Sequence, residues 1–250
     1  ITRSNLDLLD KFEIDKFLKK EKIDQVFVCA AKVGGILANS KYSGDFIREN
    51  LLIALNIIDS CHQHDVNDLI FLGSSCIYPK EAKQPLKEDY LLTGQLEPTN
   101  EAYAIAKIAG IKLCENLKKQ YKRNYFSVQP TNLYGPNDNY KEKESHVMAA
   151  LIRKFYEAKI NNMTKVVCWG TGKPLREFLY VEDFAEACLY CLKNSQDNNP
   201  SQLIPLCLEQ FTPIAQLRTV NGTTVYLFLS FSIAAGASGQ AFNFLQIMFN

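Results

Sequence analysis

The stretch Leu69-Ile70-Phe71-Leu72-Gly73-Ser74-Ser75-Cys76 sets a short apolar run directly before a glycine, two serines and a cysteine. Four apolar residues that stop at a glycine are typical of one buried strand. The hydroxyl and thiol groups would then lie at the carboxyl end of that strand, which is the edge where open α/β sheets bind their ligands. We therefore predict a ligand site at this strand end.

A tyrosine and a lysine follow at helical spacing. Tyr103 and Lys107 are four positions apart, so a helix would carry them on one face about one turn apart. An ammonium group close to a phenol favours the phenolate and lowers the tyrosine pKa, and a serine hydroxyl can hold a substrate oxygen. Together these groups predict the acid–base equipment of a hydride transfer.

The apolar pattern alternates between helix and strand along the chain. It predicts helices over 10–20, 45–64, 100–121, 146–158 and 181–193, and strands over 25–30, 69–74, 126–130 and 166–169. The helical period places Phe12, Leu18 and Leu55 on core faces, and Ser145 is the expected N-cap of the helix that starts at His146. Such alternation indicates an α/β fold with a doubly wound parallel sheet.

Composition excludes several classes of protein. A chain of 250 residues that is 47% hydrophobic can bury a full core, and a net charge of +1 without a basic run argues against nucleic acid as a partner. Cys29, Cys114 and Cys188 lie inside strand or helix patterns, which indicates reduced thiols and a cytoplasmic protein. Cys188 and Cys191 lack a second ligand pair, so we expect core packing and no metal site. The apolar run 225–229 is too short to cross a bilayer, so no membrane is expected as a partner.

Six stretches together carry a resemblance to one known family. They are Ala30–Ile36, Gly73–Pro79, Glu97–Glu101, Tyr103–Lys112, Pro130–Pro136 and Trp169–Leu179. Through these motifs the chain, from about Arg3 to Lys193, resembles the extended short-chain dehydrogenases/reductases and, within them, the GDP-L-fucose synthases. The resemblance implies a Rossmann-like, NADP(H)-dependent homodimer that epimerises and reduces GDP-4-keto-6-deoxy-D-mannose to GDP-L-fucose.

The resemblance also implies a role for each catalytic position. Cys76 matches the family's base and His146 its acid for epimerisation next to the C4 ketone. Tyr103 matches the group that protonates the C4 oxygen during reduction, and Lys107 the group that holds the tyrosine pKa down and binds the nicotinamide ribose. Ser74 matches the group that binds the C4 oxygen.

Further positions match the family's ligand contacts. The implied cofactor-binding residues are Arg3, Leu72, Gly73, Ser74, Ser75, Lys107, Pro130, Thr131, Asn132, Leu133 and His146. The implied substrate-binding residues are Lys154, Trp169 and Arg176. Arg3 could meet the 2′-phosphate that distinguishes NADP from NAD. Lys154 stands where the family often has arginine. A compact ammonium charge there replaces a planar guanidinium group, which can form two parallel hydrogen bonds with a phosphate.

The chain departs from the family's pattern at both ends. No glycine-rich phosphate loop precedes the first predicted strand, so we expect the first β-α-β unit to be missing and NADPH to bind weakly. After residue 193 the resemblance fades, and residues 220–250 carry no charged side chain. We therefore predict an NADP-binding, catalytic domain over 1–193, with part of the substrate-binding region, and a divergent tail over 194–250 that is an incomplete substrate domain.

Two alternative functions stay open on the sequence. One is another nucleotide-sugar epimerase or dehydratase, although such enzymes usually need an acidic residue or threonine near the strand-end serine, where Cys76 stands. The other is a non-catalytic fragment that binds a nucleotide sugar, which the missing phosphate loop supports. A titration with NADPH separates enzyme from fragment, because only the enzyme must bind the cofactor.

Overall fold

The computed structural model describes residues 5–34, 36–141, 145–168, 176–194, 203–205, 225–233 and 241–249. Its helices are α1 (Lys11–Glu21), α2 (Ile36–Lys41), α3 (Ser43–Gln63), α4 (Glu101–Tyr121), α5 (Val147–Ile160) and α6 (Val181–Asn194). Its strands are β1 (Gln25–Val28), β2 (Asp68–Leu72), β3 (Asn124–Gln129), β4 (Asn132–Tyr134), β5 (Arg176–Tyr180), β6 (Leu203–Pro205), β7 (Val225–Ile233) and β8 (Ala241–Phe249). Single 3₁₀ turns span Ser75–Ile77 and Glu88–Tyr90.

The chain divides into two compact units. One comprises Ile1–Pro130 and Cys188–Cys207, and the other comprises Thr131–Ala187 and Leu208–Asn250. The boundary predicted at residue 193 follows the loss of family resemblance rather than compactness, and it stays a prediction.

A parallel sheet forms the centre of the first unit. Its strand order is β1-β2-β3-β6, and each neighbouring pair is parallel. The core beside it contains buried side chains of β2 and of the helices α3 and α4, among them Ile58, Leu69 and Ile111. Parallel strands separated by helices confirm the predicted α/β, Rossmann-like class.

Helix α4 lies unusually close to strand β2. A Cβ atom placed on Gly110 would come within 2.5 Å of Phe71 Cζ, so only a residue without a side chain allows this approach. Gly110 is three positions after Lys107 and therefore on the same helix face. The close approach brings the face that carries Tyr103 and Lys107 against the end of β2.

The second unit contains a mixed sheet of order β4-β5-β8-β7. Strands β4 and β5 are parallel, whereas β8 pairs antiparallel with both β5 and β7. The strand predicted over 166–169 is wrong for 166–168, which form no strand, and Trp169 lies outside the described residues. The sequence predicts no regular element in the tail, where β7 and β8 form an antiparallel pair.

The start of α5 also differs from its prediction. The N-cap residue is His146 rather than Ser145, and the His146 side chain makes no capping hydrogen bond. The Ser145 hydroxyl is buried without a hydrogen-bond partner among the described residues. The helix therefore begins one residue later than Ser145 capping would require.

Two properties of the described residues bear on the expected partners. Among those residues, no helix combines the length and the apolar character needed to cross a bilayer. They also hold no cluster of three or more His, Cys, Asp or Glu side chains that could bind a metal ion. Burial raises the pKa of Cys188 to about 12 and also raises that of Cys191, as expected for thiols that pack in a core.

Candidate active site

The chain leaves β2 through a turn that groups polar side chains. The Gly73 amide donates to the Val128 carbonyl oxygen at 2.9 Å, which extends the ladder between β2 and β3 by one step. Ser74 then caps the 3₁₀ turn: its Oγ accepts from the Cys76 amide at 3.5 Å and from Cys76 Sγ at 3.2 Å. The hydroxyl and the thiol predicted at this strand end therefore lie in direct contact.

Helix α4 places a buried lysine over the same strand end. Lys107 is only 4% exposed, and its Nζ donates to the Leu72 carbonyl oxygen at 2.7 Å. The ammonium also lies 4.8 Å from the centre of the Phe71 ring and 5.7 Å from the centre of the Tyr103 ring. The structure therefore brings Ser74, Cys76, Tyr103 and Lys107 together within the first unit.

Burial dominates the electrostatics of this cluster. It lowers the pKa of Lys107 to about 8, against the opposing effect of the Cys76 and Cys29 thiols. It raises the pKa of Tyr103, and the nearby Cys76 raises it further. It also raises the pKa of Cys76 by more than the Ser74 hydrogen bond and the Lys107 charge lower it.

The pKa direction expected from the sequence is therefore wrong for Tyr103 in this structure. The spacing of Tyr103 and Lys107 predicted an ammonium that favours the phenolate. In the structure both groups are removed from water, and this burial disfavours the charged form of each. Spacing along a helix fixes proximity, whereas the depth of burial depends on the strand beneath. A protonated phenol at neutral pH is the form that can donate a proton.

Two residues beside the cluster were not predicted as part of a site. Cys29 follows β1 and is exposed, and its thiol interacts electrostatically with Lys107. Gln129 ends β3, and its Oε1 accepts from the Ser74 amide at 3.0 Å. Strand order could have revealed both, because Cys29 directly follows β1 and Gln129 ends β3, the two strands that flank β2.

The remaining predicted site residues divide between the two units. His146 is exposed at the N-terminus of α5, and Lys154 on the same helix donates from Nζ to the Val167 carbonyl oxygen at 2.9 Å. Arg176 is exposed at the start of β5. These three residues belong to the second unit, as do Thr131, Asn132 and Leu133, whereas Leu72, Gly73, Ser75 and Pro130 belong to the first. Arg3 and Trp169 lie outside the described residues.

Comparison with known proteins identifies the family. The profile of the NAD dependent epimerase/dehydratase family matches residues 2–204. The chain belongs to this family. Within the epimerase/dehydratase family it is 58% identical over 192 residues to the GDP-L-fucose synthase of Escherichia coli (strain K12), a match that covers 77% of this chain and 60% of that relative.

Other members of the epimerase/dehydratase family show the same extent of similarity. GDP-L-fucose synthase 1 of Arabidopsis thaliana is 55% identical over 191 residues, which are 76% of this chain and 59% of that relative. A solved GDP-L-fucose synthetase from Naegleria fowleri, bound to NADP, superimposes with a TM-score of 0.75 at 31% identity over 84% of this chain and 67% of that one. The chain thus spans about 60% of the length of the curated relatives it matches.

The close packing of α4 in this family member leads to a stability prediction. Gly110→Ala would put a Cβ atom 2.5 Å from Phe71 Cζ, and the Phe71 ring is buried, so moving it aside would disturb the packing around it. We expect α4 to shift away from β2 and the free energy of unfolding to fall by about 1–3 kcal/mol, despite the better helix propensity of alanine. Thermal unfolding measures the effect.

A second glycine supplies the control for this variant. A Cβ atom placed on Gly44, in α3, would meet open space, so Gly44→Ala adds helix propensity without a clash. It should leave the melting temperature unchanged or raise it slightly. If Gly110→Ala is as stable as Gly44→Ala, the close approach of α4 to β2 does not constrain position 110.

Buried Lys107 leads to a pH prediction. Its pKa is about 8 in the folded chain against 10.5 for an unburied lysine, so the unfolded chain binds more protons between those values. The contribution of Lys107 to the free energy of unfolding should therefore rise with pH across this window, by at most about 3 kcal/mol. Any activity that needs the ammonium should fall as pH rises through about 8.

The matching experiment compares melting temperatures as a function of pH. The difference between the wild-type chain and Lys107→Met should shift in favour of the wild type from pH about 8 to about 10.5. Lys112→Met is the control, because the Lys112 side chain lies on the same helix, is 43% exposed and pairs with Glu115. A pH-independent difference for Lys107→Met would mean that the ammonium is not desolvated.

Proposed function

We propose that this chain is the catalytic part of an NADPH-dependent epimerase-reductase that converts GDP-4-keto-6-deoxy-D-mannose to GDP-L-fucose. The observation that carries the proposal is the contact of Ser74 with Cys76 beside buried Lys107 and Tyr103 at one strand end. This set combines an acidifiable thiol for proton removal with a phenol for proton donation. Similarity to named GDP-L-fucose synthases supports it.

The first half of the proposed reaction inverts C3 and C5. The C4 ketone acidifies the C–H bonds at both neighbouring carbons, so a base can remove each proton and an acid can return one to the opposite face. We assign the base to Cys76 and the acid to His146. Burial raises the pKa of Cys76, and the Ser74 hydrogen bond and the Lys107 charge act against that rise by favouring the thiolate.

The second half reduces the C4 ketone to an alcohol. NADPH, when bound, supplies the hydride that C4 receives. Tyr103 gives its phenolic proton to the C4 oxygen as that oxygen gains negative charge, and the Ser74 hydroxyl donates a hydrogen bond to the same oxygen. The raised pKa of Tyr103 keeps the phenol protonated and ready to donate at neutral pH.

Lys107 is suited to hold the nicotinamide ribose of the cofactor. Lys107 Nζ has three N–H groups and one of them donates to the Leu72 carbonyl oxygen, which leaves donors for ribose hydroxyls. We propose that the strand ends Leu72–Ser75 and Pro130–Leu133, with Arg3 and His146, contact the cofactor. We assign Lys154, Trp169 and Arg176 to the GDP part of the substrate.

The assignment of Lys154 has a structural consequence. Its ammonium already donates to the Val167 carbonyl oxygen. A lysine can bind a phosphate oxygen through its single positive charge, but it cannot form the two parallel hydrogen bonds of an arginine. We further propose that the enzyme is a homodimer. We also propose a cytoplasmic location, with which the free cysteines of the described residues are consistent.

The test is direct conversion of the substrate. The folded protein is incubated with GDP-4-keto-6-deoxy-D-mannose and NADPH in deuterated water, and the products are followed by NMR and chromatography. We expect GDP-L-fucose that carries deuterium at C3 and C5. Reduction without deuterium uptake would favour a plain C4 reductase, and binding of the GDP-sugar without turnover would favour a non-catalytic fragment.

A further inference from the structure

Gln129 is an amide side chain buried beside the catalytic turn. It is 1% exposed, and its Oε1 accepts from the Ser74 amide at 3.0 Å. Its carboxamide occupies the space that a side chain at position 73 would fill. A Cβ atom on Gly73 would overlap Gln129 Oε1. Gly73 and Gln129 therefore form a matched pair, in which the missing side chain of one makes room for the other.

The polar end of Gln129 is costly for the fold. Its Nε2 is buried without a hydrogen-bond partner among the described residues, and an unpaired buried donor lowers stability. An apolar side chain of similar length would fill the same space without that cost. The carboxamide thus contributes one thing that an apolar residue could not, which is an acceptor for the Ser74 amide.

This acceptor begins a short chain of contacts that reaches the thiol. Gln129 fixes the backbone of Ser74, and Ser74 Oγ accepts from both the amide and the Sγ of Cys76. We propose that Gln129 is a positioning residue that orients Ser74, and through it Cys76, for proton transfer. The proposal rests on the proposed function for the identity of the reaction, but the contact itself does not depend on any substrate.

The expected effect of removing the acceptor is a less acidic thiol. The Ser74 hydrogen bond is one of the contacts that lowers the pKa of Cys76, so a loosened Ser74 should raise that pKa and reduce the thiolate fraction. The pH profile of Cys76 alkylation by iodoacetamide, read by mass spectrometry of the Cys76 peptide, reports this directly. In Gln129→Met we expect alkylation at pH about 8 to slow by about 3- to 10-fold.

Three further variants separate positioning from structure. Gln129→Glu keeps an acceptor at the same place and should retain most of the wild-type alkylation rate. Ser127→Ala alters a buried hydroxyl on the same strand and face, one that has no partner in the described part of the chain, and it should leave the profile unchanged. Gly73→Ala should reproduce the Gln129→Met profile, because its methyl group would displace the carboxamide from Ser74.

The outcomes decide the proposal with or without a sugar substrate. A slower Cys76 reaction in Gln129→Met with a melting temperature near the wild type, and faster amide hydrogen exchange at Ser74, would support it. An unchanged alkylation profile in folded Gln129→Met, or in folded Gly73→Ala if Gln129→Met does not fold, would overturn it. If the profile shifts but no GDP-L-fucose forms in any variant, the proposed function fails while the role of Gln129 stands.

Discussion

Tyr103→Phe is expected to lower the formation of GDP-L-fucose by about 10²- to 10⁴-fold, because the C4 oxygen would lose its proton donor. Deuterium uptake at C3 and C5 should continue, since Cys76 and His146 are unchanged. NADPH consumption measures the reduction, and NMR in deuterated water measures the exchange. The two activities should therefore separate in this single variant.

Tyr125→Phe is the matched control for this variant. Tyr125 is fully buried and its hydroxyl donates to the Val66 carbonyl oxygen at 2.7 Å, away from the catalytic turn. Its loss should cost about 1 kcal/mol of stability and leave both activities near the wild type. If Tyr103→Phe loses exchange and reduction equally, the phenol does not act in reduction alone.

Cys76→Ser is expected to show the reverse pattern. A serine hydroxyl is far less acidic than a thiol, so deuterium uptake at C3 and C5 should fall by about 10²-fold or more, while some direct reduction of the C4 ketone persists. The product of that direct reduction would keep the configuration of the substrate at C3 and C5. Product NMR identifies it.

Cys29→Ser is the control for the thiol. Cys29 is the other cysteine that interacts electrostatically with Lys107, but it follows β1, whereas Cys76 lies in the turn after β2. Its replacement should leave both exchange and reduction near the wild type. If Cys29→Ser loses exchange while Cys76→Ser retains it, the base is Cys29 and our assignment is wrong.

Periodicity predicted the longer helices but not the short helix α2, and it did not show which apolar residues of a helix are buried. Ends of the predicted helices agree with α1, α3, α4, α5 and α6 within two residues. Leu18 is buried as expected, whereas Phe12 is 71% exposed and Leu55 is 53% exposed. The spacing of apolar residues defines one face of a helix. How much of that face is buried depends on the elements that pack against it, and the local sequence does not show which elements those are.

The candidate site could be predicted where its residues lie close together in the sequence. The turn after β2 and the spacing of Tyr103 and Lys107 are short-range features, and the structure brings these residues together. Gln129 was not predictable in this way, because its contact with Ser74 spans 55 positions and arises from the pairing of β2 with β3. The pKa direction of Tyr103 was missed for a similar reason, since burial is a property of the assembled sheet.

The short strand predicted over 166–169 failed for a related reason. Its apolar residues Val166 and Val167 satisfy a strand pattern, but Val167 is 75% exposed and its carbonyl oxygen accepts from Lys154 instead of from a neighbouring strand. Strands β4 and β5 were overlooked, because each is short and contains polar residues such as Asn132 and Glu177. A strand needs a neighbouring strand to pair with, and the local sequence does not show which strand that is.

The ring of Phe71 lies next to Gly110, and its centre is 4.8 Å from the ammonium of Lys107. The size of this ring therefore affects the distance between the Lys107 ammonium and the end of β2. A larger residue at position 110 would be tolerated only if position 71 became smaller, and a smaller residue at 71 alone would leave a void beneath the lysine. Positions 71 and 110 are therefore expected to change together as such chains diverge, so two residues without a proposed ligand contact would limit the evolution of the catalytic helix.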